Sequence, residues 1–393
     1  MKAMLTTQAA AGHFNPMATV ADALVRAGRS VQFACTPSFC RSVRAVGFDA
    51  FPMGQDWSSR DLSETFPEFR NVPLDERNLW VNERLWGELL ARSYYPDLVR
   101  LVSELAPDVI ISGRAELAGP TVGEVLRVPW VVTSAGRVIA IEQFLSEIEP
   151  SRERWRAELG LPPDEAGQRL YRHLYVNMIP PSFVEGTLPP SALTVRPEPF
   201  DRPAGDPLPD WLQTPGSGTT AYVTLGSAYG YQFPELFSVA VDGVSRVVDH
   251  TLITSGPASE IADRLPRERH NVHVAGYISQ ERILPHADLV VCHGGSGTIF
   301  GALAHGVPVL VIADEQSDHE PNGRRCVELG VGAVLPVHGL TADAVAEAAR
   351  ALISDPTRAE SSRGVRDALA DLPGLDAAVG AIAEVAAGLS GNE

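Results

Sequence analysis

A single lysine, Lys2, stands in a chain of 393 residues, and acidic side chains outnumber basic ones by 49 to 32, for a formal net charge of −17. That balance excludes nucleic-acid binding as a main role, because counterion release needs a basic surface. Any anionic ligand must be held by local donors against an unfavourable general field. Cysteine is scarce too. Cys35, Cys40, Cys292 and Cys326 have neither metal-ligand nor disulfide-framework spacing, so buried free thiols are expected. No apolar stretch reaches membrane-spanning length. The opening segment, Met1 to Thr7, runs into a short strand without an extended apolar core or a small-residue cleavage site. No secretory signal is read there, and a cytoplasmic location is expected. Short-period repeats are also missing.

What is present is the pattern of an α/β protein. The length exceeds one ordinary core, so two domains are expected. Strand-sized apolar runs alternate with helix-period segments in both halves, which predicts parallel sheets. Ala3–Thr7, Val31–Ala34, Val109–Ile111 and Trp130–Thr133 read as strands in the first half. Asn15 to Gly28 reads as a helix, capped by Asn15, with Pro16 in its first turn and Gly28 closing it. The proline-rich run from Arg196 to Pro209 supports neither helix nor inner strand and reads as the linker. Beyond it the alternation restarts at Ala221–Leu225 and continues through Thr251–Thr254, Val272–Ala275, Leu289–Val291, Val309–Ile312 and Ala333–Leu335. The expected domains are 1–203 and 204–375, both Rossmann-like and facing across a cleft. A last helix over 376–393 is expected to pack back on the first domain.

The most specific motif is His293-Gly294-Gly295-Ser296-Gly297-Thr298, between the apolar run Asp288–Cys292 and a predicted helix start at Ile299. A strand turning through glycines into a helix aims backbone N–H groups and a positive dipole end at one point, a natural diphosphate cradle. A dinucleotide fingerprint is the rival, but Phe300 fills the third glycine position and the motif lies late in the chain. A second turn, Leu225-Gly226-Ser227, could bring the Ser227 hydroxyl to the same phosphates or be a plain strand-to-helix turn. The acidic loop Asp314 to Asn322 follows a later strand. Its carboxylates suit vicinal sugar hydroxyls, with an acidic metal site and simple helix capping as competing readings. Tyr277, after the Val272–Ala275 run, could stack on a nucleobase or sit in the core. Early in the chain, His13 in Gly12-His13-Phe14-Asn15-Pro16 follows the first strand, where α/β folds place reactive groups, and is a candidate general base.

Taken together, GHFNP, HGGSGT, Gly306-Val307-Pro308 and the Asp318 to Arg325 segment resemble the GT-B glycosyltransferases of family one. The actinobacterial enzymes that attach deoxysugars to antibiotic aglycones, the enediyne type among them, are the nearest likeness. Pro180-Pro181-Ser182-Phe183 and the Arg196–Phe200 segment strengthen it, and it spans nearly the whole chain. The resemblance implies a GT-B fold and an inverting, metal-independent transfer from a TDP- or UDP-sugar to a hydroxyl of a hydrophobic acceptor. It implies no cofactor beyond that co-substrate. His13 matches the family's base. His293, Gly295, Ser296, Gly297 and Thr298 match its diphosphate cradle. Asp318 and His319 match its sugar-holding pair, with His319 where the family has glutamine, and Tyr277 with Ile278 matches its base-binding turn.

One departure stands out: Gly113 falls where the family carries the acid that orients the base histidine. Glu116, three residues on, is the nearest substitute and is expected to serve if the loop folds back. The acceptor is expected against the aromatic segments Phe51–Trp86 and Val138–Tyr175, which hold Trp57, Phe66, Phe69, Trp80, Trp86, Phe144 and Trp155. A nucleotide-sugar epimerase and a non-catalytic nucleotide-sugar-binding helper remain as alternatives. Donor-only incubation separates the first, and tight nucleotide binding without turnover the second. Neither membrane nor nucleic acid is an expected partner. Oligomeric state is not legible, a homodimer being one option.

Overall fold

Short runs of branched and small apolar residues form strands that pair in parallel, and parallel pairing requires cover on both faces. In the first sheet these are β1 (Lys2–Thr6), β2 (Ser30–Cys35), β3 (Asp49–Pro52), β4 (Val109–Gly113), β5 (Trp130–Ser134), β6 (Leu174–Asn177) and β7 (Ala192–Thr194). Their order is β3-β2-β1-β4-β5-β6-β7. Ala3, Met4, Leu5 and Val109 to Ile111 are fully buried, as strands covered on both faces must be. The second sheet holds β8 (Thr220–Thr224), β9 (His250–Thr254), β10 (Val272–Ala275), β11 (Leu289–Cys292), β12 (Val309–Ala313) and β13 (Gly332–Pro336) in the order β10-β9-β8-β11-β12-β13. The strand pairs in both sheets are parallel.

This computed structural model describes the chain except residues 58–60, 137–139, 201–205, 214–215, 217, 227–233, 255–268, 315–318 and 389–393. Met1–Arg196 with Leu372–Glu393 forms one unit, and Pro197–Asp371 the other. The chain thus crosses at 196/197 and 371/372 rather than at 203/204 and 375/376. The Arg196 N–H donates to the Pro373 carbonyl at 2.8 Å, tying both crossings to the first unit. The helix Leu375–Ala386 buries Ala378, Val379, Ile382 and Val385 and packs against the helix after β1 and against β4 to β6. Among the described residues, no helix is long and apolar enough to cross a membrane.

The helix after β1 runs Ala11–Arg26, starting before the expected Asn15. The N–H groups of His13 and Phe14 bond the Ala10 carbonyl at 3.0 and 2.9 Å, so the helix is already formed when Pro16 is reached. Pro16 therefore lies inside it, where its missing N–H removes the i to i−4 hydrogen bond. His13 stands in the first helical turn and not in a loop. At the other end Gly28 takes φ +73°, the left-handed turn the sequence requires of it.

Candidate active site

Strand order reverses between β1 and β4 in one sheet and between β8 and β11 in the other. Ligands of open parallel sheets bind beyond the carboxyl ends of the strands at such reversals. His13 follows β1, Gly226 follows β8 and His293 follows β11, so each candidate group lies at a reversal.

In the second unit the buried run Leu289–Cys292 ends at His293, and the chain turns through Gly294 at φ +94°. A Cβ on Gly294 would lie 2.9 Å from both the Cβ and the carbonyl oxygen of His319, so only glycine fits. The Asn322 amide donates to the Gly294 carbonyl at 2.8 Å and fixes the turn from the far side. Gly295 is the N-cap of the helix Ser296–Ala304, and its carbonyl accepts from Thr298 and Ile299, each at 3.1 Å. The leading N–H groups of such a helix have no in-helix acceptor and carry its positive dipole end.

The His293 ring sits in a slot made by two other glycines. A Cβ on Gly226 would lie 2.6 Å from Cε1 of that ring, and one on Gly295 would lie 2.7 Å from its Nε2. The His319 ring meets it at 4.8 Å in an edge-to-face contact. Gly297 differs: among the described residues a Cβ there would meet nothing within 4 Å, so protein packing does not require that glycine. The open space lies beside the leading amides, where an anion would approach. Gln280 Nε2 donates to the Thr298 hydroxyl at 3.1 Å and holds the first turn. Beneath the motif the Cys292 thiol is pushed up to about 12 by burial, which makes it an inert core residue. Ser227 and Asp318 lie outside the described residues. His319 is the residue immediately before the helix Glu320–Glu328.

Tyr277 and Ile278 follow β10. Tyr277 is half-buried and Ile278 fully so. The Tyr277 main chain is engaged by Asp206, a connector residue that sequence reasoning passed over, since a proline-rich run signals only the absence of regular structure.

In the first unit, His13 meets Trp86 edge-to-face at 5.4 Å, and Trp86 meets Trp57 in the same manner at 5.5 Å. Trp57 Nε1 donates to the Tyr94 hydroxyl (2.9 Å), which donates to Gln8 Oε1 (2.9 Å), and Gln8 Nε2 donates to the Ala115 carbonyl (2.8 Å). Indole, phenol and amide thus tie Trp57, on which Trp86 packs, to the loops after β1 and β4. Trp86 itself lies on a π-helical stretch, Val81–Leu90, set between helical segments. Such wider turns shift the following side chains around the helix axis and recur at functional sites. Aromatic enrichment pointed to this segment, but its unusual winding left no mark in the sequence.

Glu116 is fully buried. Its Oε2 accepts from the Thr6 hydroxyl and from Gly119 N–H at 3.0 Å, and its Oε1 accepts from Ala118 N–H at 2.8 Å. Thr6 in turn bonds the Ser112 hydroxyl at 2.7 Å, a pairing set by the β1–β4 register. Among the described residues, none of its hydrogen bonds goes to His13. The helix Ala118–Leu126 begins directly after it, and a carboxylate there satisfies two leading amides, which is why the side chain turns inward. Burial raises its pKa, opposed by the hydrogen bonds it accepts.

Residues 240–385 match the family described as "Erythromycin biosynthesis protein CIII-like, C-terminal domain". Over 94% of its length the chain is 27% identical to the erythronolide mycarosyltransferase of Saccharopolyspora erythraea, of which it covers 95%. It is 28% identical to the L-demethylnoviosyl transferase of Streptomyces niveus, with 86% of this chain and 85% of that one covered. Among solved structures, spinosyn rhamnosyltransferase SpnG complexed with thymidine diphosphate aligns with TM-score 0.81 at 20% identity, covering 98% of this chain and 100% of that one. Glycosyltransferase VinC in complex with DTDP aligns with TM-score 0.78 at 23% identity, over 98% and 100% of the two chains. At such identities the structural likenesses speak for the fold.

Proposed function

We propose, on the premise that this chain is a GT-B glycosyltransferase similar to those of actinobacterial antibiotic pathways, that it moves a deoxysugar from a TDP-sugar to a hydroxyl of a hydrophobic aglycone, with inversion. The observation that carries the reading is the His293 slot. An imidazole wedged between Gly226 and Gly295 stands at the opening of a helix whose leading amides have no in-helix acceptor. That is a place for the charge of a leaving diphosphate, pre-aimed before the reaction starts.

In this reading the second unit holds the donor and His13 of the first supplies the base. His13 accepts the proton of the acceptor hydroxyl as its oxygen attacks the anomeric carbon opposite the diphosphate. The bond from that carbon to the diphosphate oxygen breaks, and the electron pair leaves with the nucleoside diphosphate. Positive charge grows on the sugar ring, as in glycoside hydrolysis, while negative charge grows where His293, the amides of Ser296 and Gly297 and the Thr298 hydroxyl stand. Asp318 and His319 are assigned to the sugar, Ser227 to the phosphates, and Tyr277 with Ile278 to the base. Nothing in this scheme needs a divalent cation, since fixed dipoles and an imidazole take its part.

The test is calorimetry with dTDP and UDP, followed by assays of a dTDP-deoxysugar against a panel of polyketide aglycones. Binding of dTDP and a product of opposite anomeric configuration are expected. Absence of dTDP binding, or a product retaining the donor's configuration, refutes the proposal.

Glu116 is assigned a structural part here. Glu116→Gln is expected to leave the pH profile of turnover unchanged, because its oxygens serve the Thr6 hydroxyl and two helix amides. Its effect belongs in stability. An acid whose folded pKa is raised favours the folded state fully below its ordinary value of 4.5, and that contribution is lost as pH rises through the folded value. Glutamine does not titrate, so the melting temperature of the wild type should fall relative to the variant as pH climbs from 4.5. A parallel course of the two melting curves, with a shifted turnover profile, would restore Glu116 as the partner of His13.

A further inference from the structure

Asp206, in the connector sequence Gly205-Asp206-Pro207, makes three hydrogen bonds with the turn after β10 and a fourth with the helix that follows it. Its N–H donates to the Tyr277 carbonyl at 2.6 Å, and its Oδ2 accepts from the N–H groups of Gly276 and Tyr277 at 2.8 and 3.3 Å. Its own carbonyl accepts from Arg282 Nη1 at 3.2 Å. The approach is close: a Cβ on Gly276 would lie 3.1 Å from that Oδ2. One connector residue therefore uses both the donor and the acceptor of the Tyr277 main chain.

A pyrimidine carries a ring N–H between two carbonyl oxygens, and a main-chain donor and acceptor on one residue match that edge. Tyr277 has spent its pair on Asp206. Ile278, next in the chain, makes no main-chain hydrogen bond among the described residues, and its side chain is fully buried, which anchors it. We propose that Asp206 is a positioning residue for the donor site: it fixes Gly276 and Tyr277 so that the Ile278 main chain is left to read the pyrimidine. This rests on the donor-site reading above. The role needs two acceptor contacts and no charge, since a carboxylate beside an anionic nucleotide is electrostatically unfavourable. Asparagine should therefore replace it, and alanine should not. The connector is then held at both ends, at Arg196 by Pro373 and at Asp206 by the base turn.

The experiment is calorimetry on the full chain with dTDP and, separately, inorganic pyrophosphate, for wild type, Asp206→Ala and Asp206→Asn. Alanine should weaken dTDP about tenfold, the loss of two modest hydrogen bonds that fix the turn, and leave pyrophosphate within about twofold of wild type. Asparagine should restore dTDP to within about twofold or bind it more tightly. A general loss of structure would weaken both ligands together, and that result overturns the assignment. So does an alanine variant that binds dTDP as the wild type does, or an asparagine variant as weak as alanine. Wild-type protein that binds neither ligand would instead refute the sugar-nucleotide reading, and this assignment with it.

Discussion

Replacing His13 with alanine is expected to lower sugar transfer by about 100- to 10,000-fold while dTDP affinity stays within about twofold of wild type. Loss of a positioned general base has that size, because the acceptor oxygen must then attack while still carrying its proton. The insensitivity of nucleotide binding follows from connectivity. His13 belongs to the first unit, on the helix after β1, whereas Gly226, His293 and the helix Ser296–Ala304 belong to the second. The Trp86 ring beside His13 provides a graded companion. Trp86→Phe keeps an aromatic edge at that face and should cost less turnover than Trp86→Ala, which removes that contact with the imidazole. Initial rates at saturating donor and calorimetry with dTDP decide the matter. Equal loss of turnover and nucleotide affinity in His13→Ala removes it from the base role, and undiminished turnover does so more directly.

The sequence carried the frame of the molecule better than its contacts. His293 to Thr298 was legible because every cue there is local: an apolar run, three glycines and a helix start, all within a dozen residues. His13 was legible as a residue after the first strand, but Pro16 drew the predicted helix start to Asn15, whereas the helix is formed from Ala11 and takes Pro16 into its interior. The short strands β3, β6 and β7 escaped notice, being only three or four residues long. The surroundings of Glu116 were hidden for a different reason. Its partners Thr6 and Ser112 lie more than a hundred residues from one another along the chain and meet only through the parallel pairing of β1 with β4. Asp206 and Trp86 share that limitation. Their importance lies in partners supplied by distant segments, and neither composition nor periodicity records such meetings.

His293→Ala is expected to weaken dTDP by about 10- to 100-fold, the loss of one hydrogen bond to a charged group. The glycine slot allows a sharper form of the same test. Gly226→Ala leaves the imidazole in the protein but places a methyl where Cε1 of the ring now lies 2.6 Å away, at a backbone φ of +68° that alanine resists. At that distance something must shift, and the nearest atoms are those of the His293 ring. If the position of the imidazole is what matters, Gly226→Ala should lose nearly as much dTDP affinity as His293→Ala, and the double variant should lose little more than either alone. A melting curve for each variant separates displacement of the ring from damage to the fold, since the cost of alanine at this φ is only about 1–2 kcal/mol. Independent, additive losses would mean that Gly226 acts on the ligand by itself and not through the ring. Unchanged dTDP affinity in His293→Ala would remove the imidazole as an anchor for the diphosphate, and the charge of the leaving group would then have to be met elsewhere.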